Sequence, residues 1–292
     1  MIENNGDNKP ELSAAGALAL LQWQSEMGAD EAIGDAPLDR FALCKEEQHT
    51  APTNPLRAKA ERPPAESAPR PAPLRPAAAS MSTDEAVLAA RYLAHEARTL
   101  DELRRAMDGF EGCGLRATAK QLVFAAGNPA ARLMLIGEAP GRDEDLQGFP
   151  FVGRAGQLLD KMLAAIGLDR NAEDPEHSAY ITNVVPWRPP GNRNPTAAET
   201  AICRPFIDRH MELANPEIVL FLGGVAAKEM YRTQTGIMRL RGKWRQVETD
   251  HGEFRTFATF HPSFLLRSPA QKRLAWRDLL DMRRALDEED QD

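Results

Sequence analysis

The chain has 292 residues, 27% of them charged, with a formal net charge of −7, a length that allows one large domain or two small ones. No run approaches the ~20 apolar residues needed to cross a bilayer, and the opening MIENNGDNKPE has neither the cationic start nor the apolar core of a signal peptide. The cysteines, Cys44, Cys113 and Cys203, are too few and too scattered for a disulfide framework, so a soluble, reduced, cytoplasmic protein with no membrane partner is expected.

The charge is unevenly placed. Residues 1–50 hold 10 acidic and 3 basic residues, and the tail 286–292 holds 5 acidic and none basic. The stretch between them is mildly basic, so the overall sign does not exclude a polyanionic partner.

In chain order, residues 1–44 read as a short amphipathic segment with an apolar patch at Leu18, Leu20, Leu21 and Trp23. Residues 45–82 read as a Pro/Ala-rich linker: 51–80 hold eight prolines and nine alanines. Such a stretch buries too little apolar surface to offset the entropy of ordering. One α/β domain is expected over 83–286, followed by an acidic tail, 287–292. Its helices are predicted at Asp84–Arg98 (capped by Thr83), Thr99–Met107, Gly153–Ile166, Thr196–Leu213, Gly224–Tyr231 and Pro269–Ala285. Strands are predicted at Gln121–Ala125, Arg132–Ile136, Ala179–Asn183, Glu217–Phe221 and Thr256–Phe260. Short apolar strands alternating with helices imply a mostly parallel sheet covered on both faces. In such sheets chemistry gathers at the carboxyl edge.

Three polar clusters follow these strands. Gly137-Glu138-Ala139-Pro140-Gly141 offers a tight turn with exposed N–H groups, and Asp143, Glu144 and Asp145 crowd carboxylates beside it. It matches neither a phosphate loop nor a dinucleotide fingerprint, and an ordinary solvated acidic loop is the competing reading. Thr182-Asn183 ends a strand ahead of Trp187-Arg188-Pro189-Pro190-Gly191-Asn192-Arg193-Asn194-Pro195. An Asn there is commonly a turn former, but a fixed amide also presents the donor and acceptor that can read a pyrimidine edge. His261-Pro262-Ser263-Phe264-Leu265-Leu266-Arg267 places an imidazole at a third strand end. Its two leucines, expected to be exposed, suit a wedge pushed into a base stack.

GEAPG, PFVGRAGQLLDKML, ITNVV with RPPGNRNP, and HPSFLLR, in this order, resemble the family-4-type uracil-DNA glycosylases over about residues 110–285. The resemblance implies a three-layer α/β/α fold around a central, mostly parallel four-stranded sheet. It also implies base-excision repair: flipping uracil out of single- or double-stranded DNA and hydrolysing its N-glycosidic bond. Residue by residue, Glu138 and Glu144 match the carboxylates assigned to water activation and support of the positive sugar, and His261 the imidazole that stabilises uracil O2. Phe151 matches the aromatic that stacks on the base, and Asn183 the amide that reads N3–H and O4. Backbone N–H groups at Gly137 and Ala139 would contact the base. Ser263, Leu265, Leu266 and Arg267 match the loop that enters the duplex. Arg188 and Arg193, with the run Arg239–Arg245, Lys272 and Arg273, are the expected phosphate contacts.

Members of that family usually hold a [4Fe–4S] cluster through four cysteines. Here Cys113 and Cys203 match the second and fourth, while Phe110 and Trp187 stand at the first and third. Two thiolates cannot hold a four-iron cubane, so no cofactor and no metal is expected; a labile two-cysteine metal site is the alternative. Residues 184–200 contain no histidine, against a covalently trapped sugar and for turnover. A competing function is a uracil- or abasic-DNA-binding module with little turnover. A monomer is expected, with nucleoid-associated activity and a possible protein partner for the N-terminal segment.

Overall fold

The computed structural model describes residues 81–250 and 252–289. The expectations for the N-terminal segment and nearly all of the linker lie outside the described residues. The elements run α1 (Thr83–Glu96), α2 (Leu100–Gly109), β1 (Ala126–Gly127), β2 (Leu133–Gly137), α3 (Arg142–Gln147), α4 (Arg154–Ala164), β3 (Tyr180–Asn183), α5 (Ala197–Ala214), β4 (Ile218–Leu222), α6 (Gly224–Met230), α7 (Ile237–Leu240), β5 (Arg245–Glu248), β6 (Glu253–Thr259), α8 (Pro262–Arg267) and α9 (Lys272–Glu289).

The strands order as β1-β3-β2-β4-β6-β5. The four central strands pair in parallel, as expected, and two antiparallel edge strands bring the sheet to six. β2 (LMLIG) and β4 (IVLFL) are buried at every position, as strands covered on both faces must be. Alternation sends Leu133 and Leu135 of β2, with Leu220 and Leu222 of β4, to one face under α4 and α9. Met134, Ile136, Val219 and Phe221 face the opposite layer with α1, α2, α5 and α6. The result is the three-layer arrangement.

On that second face, Ala86, Ala90 and Ala94 recur every four residues as the buried ridge of α1, small enough for close packing against α5. The cap of α1 is Ser82 rather than Thr83. Glu85 N–H donates to the Ser82 hydroxyl, and Ser82 N–H donates to the Glu85 carboxylate, so both otherwise unpaired donors are satisfied. Thr196 and Glu199 form the same reciprocal pair at the start of α5.

Other sequence expectations also differ from the structure. Residues 121–125 form no strand, because Val123 N–H donates to Pro186 O and Phe124 O accepts from the Thr182 hydroxyl, so these groups bond across a loop instead of along a ladder. β5 (RQVE) begins at Arg245, the last residue of the basic run, where no strand was expected, and buries only Val247. The last helix continues to Glu289, into the expected acidic tail. Among the described residues, no helix is long and apolar enough to cross a membrane.

Gly137 of β2 stands opposite Asn183 of β3, and Leu222 of β4 opposite Thr259 of β6. The carboxyl ends of all four parallel strands therefore reach the same edge of the sheet.

Candidate active site

A cleft of about 810 Å³ opens at this edge, and Glu138, Phe151, Asn183 and His261 all line it. The strand ends fix their backbones. The β2–β3 ladder continues past the strands, with Val184 N–H donating to Gly137 O and Val185 N–H donating to Glu138 O.

Gly137 carries no side chain because there is no room for one. A Cβ would lie 2.4 Å from Asn183 Oδ1 and 2.7 Å from the Phe151 ring. Gly137→Ala is therefore expected to push both pocket groups outward. A displacement near 1 Å costs on the order of 10²-fold in rate, measurable as single-turnover uracil release with the fold intact by circular dichroism.

Phe151 is 6% exposed and takes a positive φ of 55°, a left-handed conformation that a bulky side chain adopts only where packing enforces it. The packing comes from Gly156 in the first turn of α4. A Cβ there would sit 1.7 Å from the Phe151 carbonyl oxygen, so the helix start lies directly on that peptide. The ring it holds faces His261, with centroids 5.4 Å apart and planes 28° from parallel.

His261 is the N-cap of α8. Ser263 N–H donates to its Nδ1 at 3.1 Å, and the Ser263 hydroxyl lies 2.8 Å from the same nitrogen. An Nδ1 that accepts a backbone bond carries no proton, which leaves the neutral ring with its hydrogen on Nε2. Burial, with the nearby Arg267 charge, lowers the imidazole pKa to about 4. Thr259 at the end of β6 donates to buried Asp278, which also accepts from Arg241, bracing the strand that delivers His261. Gly223 follows β4 with φ 94°, and a Cβ there would lie 2.8 Å from the His261 Cβ.

The two expected carboxylates differ. Glu138 is half-buried and makes no hydrogen bond or ion pair among the described residues, and burial raises its pKa. Glu144 is saturated: one oxygen accepts from Val152 and Gly153 N–H, the other from Gly141 N–H. It ties the turn after β2 to the turn before α4. Asn183 is 5% exposed, and its amide has no partner among the described residues. The amide atoms open onto the cleft, where a bound partner can take both the donor and the acceptor.

The expected DNA contacts divide similarly. Leu265 is 1% exposed, packed with Phe260 and Ala275 in a small core of its own; the expectation of two exposed leucines is corrected to Leu266 alone. The turn of α8 carries successive side chains to different faces. Arg193 pairs with Glu199 through two hydrogen bonds, and Arg188 donates to Asn192 and lies near Asp145. Arg241 is engaged by Asp278 and Leu274 O. Arg267 lines the cleft with no carboxylate partner among the described residues. Lys228 of α6 does the same; nothing in its sequence surroundings distinguished it from an ordinary helix charge.

At the expected cluster position, Cys113 and Cys203 are free and buried, with their thiols in mutual contact. Trp187 is 1% exposed and Phe110 3%. Phe110 packs edge-on to Phe206 at 5.2 Å, and Gly112 leaves space for its ring. Among the described residues, no group of three or more His, Cys, Asp or Glu is placed to hold a metal. These residues do not fit a four-iron cluster: aromatic rings occupy the positions where two of its ligands would stand.

A six-stranded sheet with an amide, a carboxylate and an imidazole gathered at one edge defines the class. The profile of the uracil DNA glycosylase superfamily matches residues 124–280, and the chain belongs to that superfamily. The chain is similar to the type-4 uracil-DNA glycosylase of Archaeoglobus fulgidus, with 41% identity over 175 residues, 59% of this chain and 85% of that protein. It is also similar to the type-4 enzymes of Thermotoga maritima (39% identity over 53% of this chain and 77% of that one) and Saccharolobus solfataricus (36%, over 64% and 84%).

Proposed function

We propose that the chain is a uracil-DNA glycosylase, a hydrolase of N-glycosyl bonds that takes uracil extruded from single- or double-stranded DNA into this cleft and leaves an abasic site. The observation that carries the reading is the Asn183 amide, open to the cleft and without a partner among the described residues, beside the Glu138 carboxylate and an imidazole fixed as an Nε2 donor. Asn183 would donate to uracil O4 and accept from N3–H. The Phe151 ring would take the base face, with Gly137 and Ala139 backbone at its edge.

As the C1′–N1 bond breaks, its electron pair stays with uracil and the sugar becomes positive. His261 Nε2–H donates to O2, where the negative charge accumulates, and such preorganised donors are worth about 2.7–4 kcal/mol each. Glu138 takes a proton from the attacking water, whose oxygen forms the new bond to C1′. Glu144, with its oxygens occupied by three N–H groups, is a poor base. In this reading its charge supports the sugar and its hydrogen bonds position the loops. Leu266 fills the space the base vacates, and Arg267 and Lys228 meet phosphates. Arg188 and Arg193 contribute after exchanging their internal partners, and Ser263 acts through His261. Extrusion costs a few kcal/mol in a duplex and less in a single strand.

We also propose that the protein works without a cluster, as a monomer. Purified from an iron-replete culture it should be colourless, with no stoichiometric iron by elemental analysis; a brown preparation with four irons per chain would overturn this. The activity is tested with an end-labelled oligonucleotide carrying one uracil, incubated and then treated with alkali. A strand break at the uracil is expected. Retardation in a gel without a break would identify a binding module instead.

A further inference from the structure

Helix α9 buries Ala275, Asp278, Leu279, Met282, Ala285 and Leu286 against the sheet. Its first turns expose a different set: Lys272, Arg273, Trp276 and Arg277. Trp276 is 42% exposed, and no other aromatic ring stacks on it among the described residues. None of the three cations beside it makes a hydrogen bond or ion pair there. Of the acids of the same helix nearby, Asp278 is buried and occupied by Arg241 and Thr259, and Asp281 lies against Arg284. The result is an indole face bordered by uncompensated positive charge.

Its position follows from the chain. Four residues separate Arg267, at the cleft, from Lys272. That link is held by Ser268 N–H to Phe264 O and Gln271 N–H to Ser268 O. At no more than ~3.6 Å per residue across the link and ~1.5 Å per residue along the helix, Trp276 lies within roughly 25 Å of Arg267. A strand leaving the cleft covers that span in about seven nucleotides at ~3.4 Å each.

We propose that Trp276, with Lys272, Arg273 and Arg277, forms a subsite for single-stranded DNA, in which an unpaired base within about seven nucleotides of the uracil stacks on the indole while the cations meet the backbone. The proposal rests on the reading that the cleft receives uracil in DNA and extends it to the neighbouring strand. Every unpaired base has a π face, so the subsite is tolerant of sequence. In a duplex both faces of each base are covered by its neighbours, so the same indole adds nothing there.

The test uses the full chain and fluorescence anisotropy with a labelled oligothymidine 15-mer that contains no uracil, so binding is read independently of base excision. Trp276→Ala should raise Kd about 5- to 150-fold, the range for loss of one stacked base. Trp276→Phe should recover most of the affinity, and neither variant should change binding to the 15-mer duplex. Arg273→Ala should reduce the slope of log K against log[salt] by about 0.7, one phosphate contact on a single strand. Wild-type affinity in Trp276→Ala, equal losses on duplex and single strand, or an unchanged salt slope in Arg273→Ala would each overturn the proposal. Should Trp276→Ala fail to fold, the Phe variant and the salt slope decide. An absence of strand breaks at uracil with the wild-type chain would instead remove the cleft reading and leave the binding result standing.

Discussion

Replacing Glu138 by Gln is expected to lower the single-turnover rate of uracil release by about 10²–10⁴-fold, the usual contribution of a positioned general base, with little change in DNA affinity. The amide has nearly the shape of the carboxylate, so the effect reports proton transfer and charge. Its pH dependence separates Glu138 from His261. Burial raises the Glu138 pKa above its ordinary 4.5, so the active carboxylate form is lost as pH falls through that raised value. Burial moves His261 the other way, from its ordinary 6.5 down to about 4, so its protonation falls below the acid limb of Glu138. The wild-type rate should therefore fall on the acid side with a midpoint above 4.5, and the residual rate of Glu138→Gln should lack that limb. A variant that keeps the wild-type acid limb would assign the titration to another group.

The second large effect concerns which base is accepted. Cytosine presents an amino group where uracil has O4, so against the fixed Asn183 amide two donors would face each other. A site built to hydrogen-bond one partner rejects the mispaired analogue by about 10⁴–10⁵-fold. Asn183→Asp removes the donor and places an acceptor there. Uracil release should fall by on the order of 10²–10³-fold, as when one donor to a developing oxyanion is lost, and the uracil-to-cytosine ratio should shrink by at least as much. Rates measured on matched oligonucleotides that differ only in the target base give the ratio directly. An unchanged ratio would remove Asn183 from the pocket.

The features legible in the sequence are those carried by local pattern. LMLIG and IVLFL are uninterrupted apolar runs, which a doubly covered parallel strand requires, and both appear where expected. The same pattern puts Asn183 and His261 at strand ends, and the structure lines one cleft with both. What local pattern misses is long-range. Nothing near Glu144 announces that N–H groups eight and nine residues away occupy one of its oxygens. Arg193 looked free until the fold brought Glu199 across it. Leu265 and Leu266 are adjacent and chemically identical, and only the turn of α8 decides that one packs on Phe260 and the other meets solvent. β5 was hidden because an edge strand needs few apolar residues, and RQVE has one.

Phe110 and Trp187 illustrate a substitution whose physical sense needs both sequence and structure. The sequence shows two ligand positions that cannot bind iron. The structure shows both rings buried, one edge-on to Phe206, beside two thiols in contact. Apolar packing of this kind can hold the α2–α5 region together without a metal.

A crystal structure of the protein with free uracil tests the central claim most directly. The account predicts uracil O4 and N3–H against the Asn183 amide, O2 within about 3.2 Å of His261 Nε2, the base on the Phe151 ring and Glu138 open toward the sugar side. Uracil bound elsewhere, or bound in this cleft with Asn183 and His261 left unpaired, would contradict it.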